Sequence, residues 1–318
     1  MCIRDSVLHP LDARVLVGDE RVRQRSLVAR RAADMHHRLL VRDRSTTQRS
    51  GKVQQLRAHP STIVGVSDSA NPHVLVEVCV ESVAGAYAAV VGGAERLELC
   101  SSLAEGGLTP SAGLCQAVCA AVKVPVFAMV RPRAGDFLYD GTEVDVMARD
   151  IEALRDAGAA GIVTGALTAD GDVDRRRMTE FVDLADGLPV TFHRAFDVCR
   201  DAAAAIEELC ALGVSRLLSS GQKASAPEGK HRLREAVELA AGRLTVMAGA
   251  GVREDNVVRL VEFTGVREVH LSAAGRRKSR MAFRREEVSM GSASMDEYHV
   301  RTTEEAAVAR VVSALRNR

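Results

Sequence analysis

Two short segments hold the side chains best suited to chemistry. Glu77 and Cys79 alternate within Leu75–Val80, and Glu98 and Cys100 alternate within Arg96–Cys100. Alternate residues of an extended strand share a face, so each segment presents a carboxylate and a thiol on one side. Neighbouring strands lie about 4.8 Å apart, and thiolates suit Cu(I). Cys79 and Cys100, at equivalent places on adjacent strands, can therefore approach one soft ion. Other candidates follow in the chain: Arg131 and Arg133, then His193, Arg194 and Asp197, then Ser219 and Ser220, Gly249-Ala250-Gly251, and finally His270 and Ser272. Glu77, Glu98 and His193 are residue types for acid–base catalysis. Arg131 and Arg194 can hold an anion, and the backbone at Gly249 and Gly251 can approach a phosphate. Buried charges must be paired or they cost several kcal/mol. Glu77 and Glu98 are thus expected to share a wall with Arg131 or His193, as an ion-pair network closing the fold or as a working site.

The elements that position these residues are legible from Pro72 onward. Eight short runs read as strands: Leu75–Val80, Arg96–Cys100, Pro125–Arg131, Gly161–Ala166, Pro189–Ala195, Ser215–Ser219, Arg243–Ala248 and Glu268–Ser272. Amphipathic, Ala-rich stretches separate them and read as helices, with one more near 303–316. Ser82, Asp174 and Asp201 sit where N-caps belong, and Gly92-Gly93, Gly158 and Gly213 sit where helices should stop. Strand–helix alternation demands a parallel sheet with right-handed crossovers. Eight such units predict an α/β fold, a (β/α)8 TIM barrel over 72–318, whose working face is the C-terminal end of the strands. A doubly wound open sheet is the rival, but no Gly-rich turn follows the first strand. The segment from Ala274 to Arg301 reads as a long loop, with Ser289-Met290-Gly291 and Met295 as a lid or a subunit contact.

Residues 1–71 differ in kind. Residues 1–70 hold 13 Lys+Arg against 7 Asp+Glu, and the rest of the 318-residue chain holds 30 against 35, giving the net charge of +1. The basic segment lacks periodicity, and Met1-Cys2-Ile3-Arg4-Asp5-Ser6 reads as translated adapter or non-coding sequence. We read 1–71 as a basic extension, disordered or artefactual. Its arginines are scattered with no aromatic for base stacking, so no nucleic-acid partner is expected. No apolar run reaches the ~20 residues of a membrane span, so no membrane partner is expected either. Seven cysteines without paired spacing fit reduced thiols in a cytoplasm. Cys115 and Cys119, four apart, are read as helix core.

Longer motifs carry a resemblance. Glu77-Val78-Cys79-Val80-Glu81-Ser82, Gly92 to Ser101, Glu105-Gly106-Gly107-Leu108-Thr109-Pro110-Ser111, Val130-Arg131-Pro132-Arg133, Thr191 to Asp197 and Met247 to Val252 resemble the CutC family, in order over about 75–300. The resemblance implies a cytoplasmic (β/α)8 barrel that forms a homo-oligomer, a dimer or tetramer. It also implies a link to copper homeostasis, with Cys79 and Cys100 at the positions proposed as copper ligands. Two functions are expected on these grounds. One is Cu(I) binding by Cys79 and Cys100. The other is an enzyme acting on a small anionic or phosphorylated substrate, with Glu77, Glu98 and His193 as acid–base groups and Arg131, Arg194, Gly249 and Gly251 as binding groups.

Overall fold

The structure is a computed structural model that describes residues 72–285, 287, 288, 290 and 297–318. The expected extension, 1–71, lies outside the described residues. Eight parallel strands close into a barrel in sequence order. They are β1 (Leu75–Val80), β2 (Arg96–Leu99), β3 (Val126–Met129), β4 (Gly161–Thr164), β5 (Val190–Phe192), β6 (Arg216–Ser219), β7 (Thr245–Ala248) and β8 (Glu268–Leu271). Helices follow them: α1 (Val83–Val91), α2 (Ala112–Ala121), α3 (Gly141–Asp156), α4 (Arg175–Leu184), α5 (Ala202–Ala211), α6 (Lys230–Ala240), α7 (Val257–Thr264) and α8 (Glu305–Arg316). This is the (β/α)8 TIM barrel, and every expected strand is present, shortened by up to four residues. The doubly wound alternative is excluded, because β1 pairs with both β2 and β8.

Local sequence explains the element ends. The Ser82 side chain accepts from the Gly85 N–H, Asp174 from Arg177, and Asp201 from Ala203 and Ala204, so each cap satisfies donors left open by its helix. Gly93, at φ +98°, turns the chain from α1 into β2. The main core lies between the strand ring and the helices and is built of Val, Leu, Ile and Ala. Inside the ring the apolar cluster is small: Cys100, Phe127, Met129 and Val163. A Cβ on Gly161 would meet the Phe127 ring at 2.6 Å, so glycine in β4 is what lets that ring fill the barrel.

One expectation is corrected here. The segment after β8 is not all loop. Ala274–Lys278 (β9) and His299–Thr303 (β10) pair antiparallel. Of the lid or contact residues, Ser289, Gly291 and Met295 lie outside the described residues, and Met290 is exposed. Among the described residues, no helix is long and apolar enough to cross a membrane.

Candidate functional site

Period-two alternation splits the barrel interior into a floor and a mouth. Glu77 pairs in register with Arg96 of β2 and with His270 of β8. Two residues further along their strands, Cys79 follows Glu77, Glu98 follows Arg96, and His270 follows Glu268. Each of these strands thus contributes one charged floor residue and one mouth residue.

The floor is a ladder of buried charges. Arg96 donates to Glu77 through Nε and to Glu268 through Nη2, and its Nη2 also meets Met247 Sδ at 3.3 Å. Arg216 Nε continues the ladder to Glu268 Oε2 at 3.2 Å. Both Arg96 and Arg216 lie against the Phe127 ring, 5.1 and 5.2 Å from its centroid. The sequence led us to expect Glu77 beside Arg131 or His193, and the structure corrects this. The partners of Glu77 are Arg96 and, through Oε1 at 2.8 Å, His270 Nδ1. Burial pushes the Glu77 carboxyl up, but the His270 hydrogen bond and the Arg96 charge outweigh it and hold it at about 2.

Above the floor, Cys79 Sγ, a Glu98 carboxylate oxygen and a His270 ring nitrogen lie within 4.8 Å of one another. His270 Nε2 is 3.8 Å from Glu98 Oε2. Burial opposes charging of His270, yet the neighbouring Glu98, Cys79 and Glu77 prevail and hold its imidazole well above the ordinary value. Burial raises the Glu98 carboxyl, and the Glu77 charge adds to this against the pull of His270. This pocket of side chains favours a positive charge at its centre. The Glu77 carboxylate fixes His270 by its Nδ1 side and leaves Nε2 toward Glu98, the arrangement that orients metal-binding histidines.

Cys100 stands differently from the sequence expectation of equivalent places. The β1–β2 register sets Cys79 level with Glu98 rather than with Cys100. Cys100 therefore sits one step higher, fully buried, where its Sγ donates to Glu98 Oε2 at 3.4 Å. Burial and the Glu98 charge push this thiol well up. The offset follows from the stagger that closing a barrel imposes on its strands.

The opposite wall carries the other candidates. Arg131 is buried, with Nη1 donating to the carbonyls of Glu105 and Gly107 and Nη2 to that of Gly135. It makes no ion pair among the described residues, and its Nε has no partner. His193 Nδ1 accepts from the Ala195 N–H at 3.2 Å, which puts the ring proton on Nε2, and that buried atom also has no partner. Burial and the Arg131 charge push His193 down to about 3, so the ring is neutral. Arg194 is tied to Asp197 at 2.7 Å and to Ser220 Oγ at 2.9 Å. Gly249 spends its N–H on Ser219 O and does not line the cavity, whereas Gly251, at φ +74°, does. One cavity of about 700 Å³ joins the two walls, with Cys79, Glu98 and His270 on one side and Arg131, His193 and Arg194 on the other.

Sequence reasoning placed His270 on β8 but gave it no role, and it did not single out Arg96, Arg216 or Glu268. The signal was available in the spacing. Glu268-Val269-His270 repeats the alternation of Glu77-Val78-Cys79 and Arg96-Leu97-Glu98, with an ionisable residue at each floor level.

The fold and this mouth define a (β/α)8 barrel protein with a thiol–carboxylate–imidazole cluster at the C-terminal ends of its strands. The CutC family model matches residues 74–275. A family protein CutC of Vibrio campbellii is 48% identical over 242 residues, covering 76% of this chain and 98% of that protein. One from Chromobacterium violaceum is 48% identical over 241 residues, with the same coverage of each. A crystal structure of CutC from Streptococcus agalactiae, assigned there to copper homeostasis, superposes with a TM-score of 0.60 at 32% identity, covering 62% of this chain and 97% of that one. The chain belongs to the CutC family.

Proposed function

We propose that this protein serves copper homeostasis by binding Cu(I) at the barrel mouth, in the reducing cytoplasm. The observation that carries the reading is the convergence of Cys79, Glu98 and His270 from three adjacent strands to within 4.8 Å. Thiolate and imidazole both suit copper. Binding displaces the proton of His270, so uptake releases protons. Cys100 is the next thiol, one hydrogen bond from the cluster through Glu98. The six described cysteines are all free, in keeping with a reducing compartment. A homo-oligomer belongs to the same reading, supported by the exposed Met281, Phe283 and Met290 beyond β9.

Anaerobic titration with Cu(I) against a chromophoric chelator tests the reading. We expect stoichiometric binding that weakens at least about tenfold in Cys79→Ala and in His270→Ala, and less in Cys100→Ala. Binding unaltered in both cysteine variants, or zinc bound more tightly than Cu(I), rejects it.

A second reading has its own observation. Arg131 and His193 each keep a buried nitrogen without a partner and line one cavity, and a volume of about 700 Å³ far exceeds the needs of an ion. This supports a small anionic ligand or substrate in the same mouth. Arg131 would bind it, Arg194 and Gly251 would flank it, and Glu77, Glu98 and His193 would be the titratable groups nearby. Survival of added organic anions through purification, or their stabilisation of the protein, is the measurement that bears on it.

A further inference from the structure

We propose a second Cu(I) site, apart from the barrel mouth, formed by the Cys115 and Cys119 thiolates on α2. The two cysteines stand four residues apart on that helix, so their side chains share one face. Their sulfurs lie 3.9 Å from each other. Two metal–thiolate bonds of about 2.3 Å each span up to about 4.6 Å, so one ion can bridge the pair with the helix intact. A disulfide does not fit the same place. It needs Cβ atoms about 3.5–4.5 Å apart, and positions i and i+4 of a helix hold theirs about 5–6 Å apart. The pair is thus a dithiol that α2 keeps from closing on itself and holds within chelating distance. Neither cysteine lines the mouth cavity.

The surroundings select the ion. Cys115 is fully buried, its Sγ 3.9 Å from the Leu154 carbonyl oxygen of α3, while Cys119 is half-buried. A Cβ on Gly158 would stand 3.6 Å from the Cys119 Cβ and 4.0 Å from its Sγ, so a side chain there would cover the thiol that glycine leaves bare. Among the described residues, no third His, Cys, Asp or Glu joins the two sulfurs around one ion. Zinc takes four ligands in structural sites, and the protein supplies half of them here. Cu(I) is soft, suits thiolate, and is satisfied by two such ligands. Burial lifts both thiols, Cys115 to about 12, so the empty pair sits in the core without charge. Uptake forms two Cu–S bonds, breaks two S–H bonds and sends two protons to solvent, with no change of oxidation state.

The test uses the full-length chain without oxygen, its mouth disabled by Cys79→Ala with Cys100→Ala, titrated with Cu(I) against a chromophoric chelator. We expect one equivalent of Cu(I) to remain bound, more tightly than Zn(II), and to be lost when Cys119→Ser is added. Its affinity should rise about a hundredfold per pH unit near neutrality, because two protons leave with each ion bound. No Cu(I) on the mouth-disabled protein overturns the site. So does an equivalent indifferent to Cys119→Ser, or Zn(II) bound as tightly as Cu(I). If the combined variant does not fold, maleimide labelling of the unaltered protein decides, read for each cysteine by mass spectrometry. Bound Cu(I) must shield Cys119, and equal labelling of Cys119 with and without Cu(I) overturns the proposal. The mouth reading stands or falls separately: it fails if Cys79→Ala with Cys100→Ala leaves the full count of bound Cu(I) unchanged, whereas the α2 site fails on Cys119.

Discussion

The floor and the mouth of this barrel are built from the same residue types, buried alike and only two residues apart along each strand, yet they differ in what is left unmatched. In the floor, Glu77, Arg96, Glu268 and Arg216 answer one another, and among these four charged side chains only Arg216 Nη1 lacks a partner. In the mouth, Glu98, Arg131 and His193 each keep a buried polar atom without one. A closed network of charges holds a fold in one arrangement. An open one is costly to the empty protein and favourable only when something arrives to close it. Burial of charge alone would have marked both regions as functional, and the accounting of partners separates them.

The largest effect should come from breaking the floor. Arg96→Met leaves two carboxylates buried without their shared cation and should cost about 3–5 kcal/mol, measured by denaturant unfolding. If Arg96→Met unfolds like the unaltered protein, the ladder does not hold the barrel and the contrast fails. Next comes pH. His193 titrates at about 3 in the fold against an ordinary 6.5, so between these values the unfolded chain binds a proton that the native protein does not. Its contribution to stability is full above pH 6.5 and is lost as pH falls toward 3. His193→Gln should flatten that part of the stability–pH curve. Glu77, at about 2 against 4.5, adds a further loss below pH 4.5 in both proteins.

Glu98→Gln sharpens the contrast from the other side. The substitution removes a carboxylate that burial disfavours while keeping its shape. Stability should hold or rise by about 1 kcal/mol while Cu(I) affinity falls, the trade expected of a functional group. A floor-like loss of several kcal/mol, read by the same unfolding curves, would place Glu98 with the ladder. The smallest effect belongs to the surface. Arg234→Ala removes a 2.9 Å pair with Glu238 on α6 in which both side chains are mostly exposed, and it should change stability by less than about 0.5 kcal/mol.

Much of this was legible before any coordinates. The run Leu75–Val80 is strand β1 as read, because its alternation and its Ser82 cap are local facts. The hairpin after β8 was not legible: Ala274–Lys278 is Gly- and Arg-rich, with little strand propensity, and it pairs with a segment about twenty residues away. At the site, the sequence brought Cys79, Glu98, Arg131 and His193 to one end of one barrel, since period two and the strand order require it, but it put Glu77 with them, whereas Glu77 belongs to the floor. It did not say who faces whom.

By itself, then, the chain's pattern determined the class of fold, the eight strands and the inward side of each, because periodicity, caps and stops act over a few residues. Tertiary structure alone decided the partners. The stagger between β1 and β2 set Cys79 beside Glu98 and lifted Cys100 a step, and closure against β8 brought in His270. Those pairings depend on how strands nearly two hundred residues apart slide past one another, and the shear of a closed ring is a property of all eight strands together.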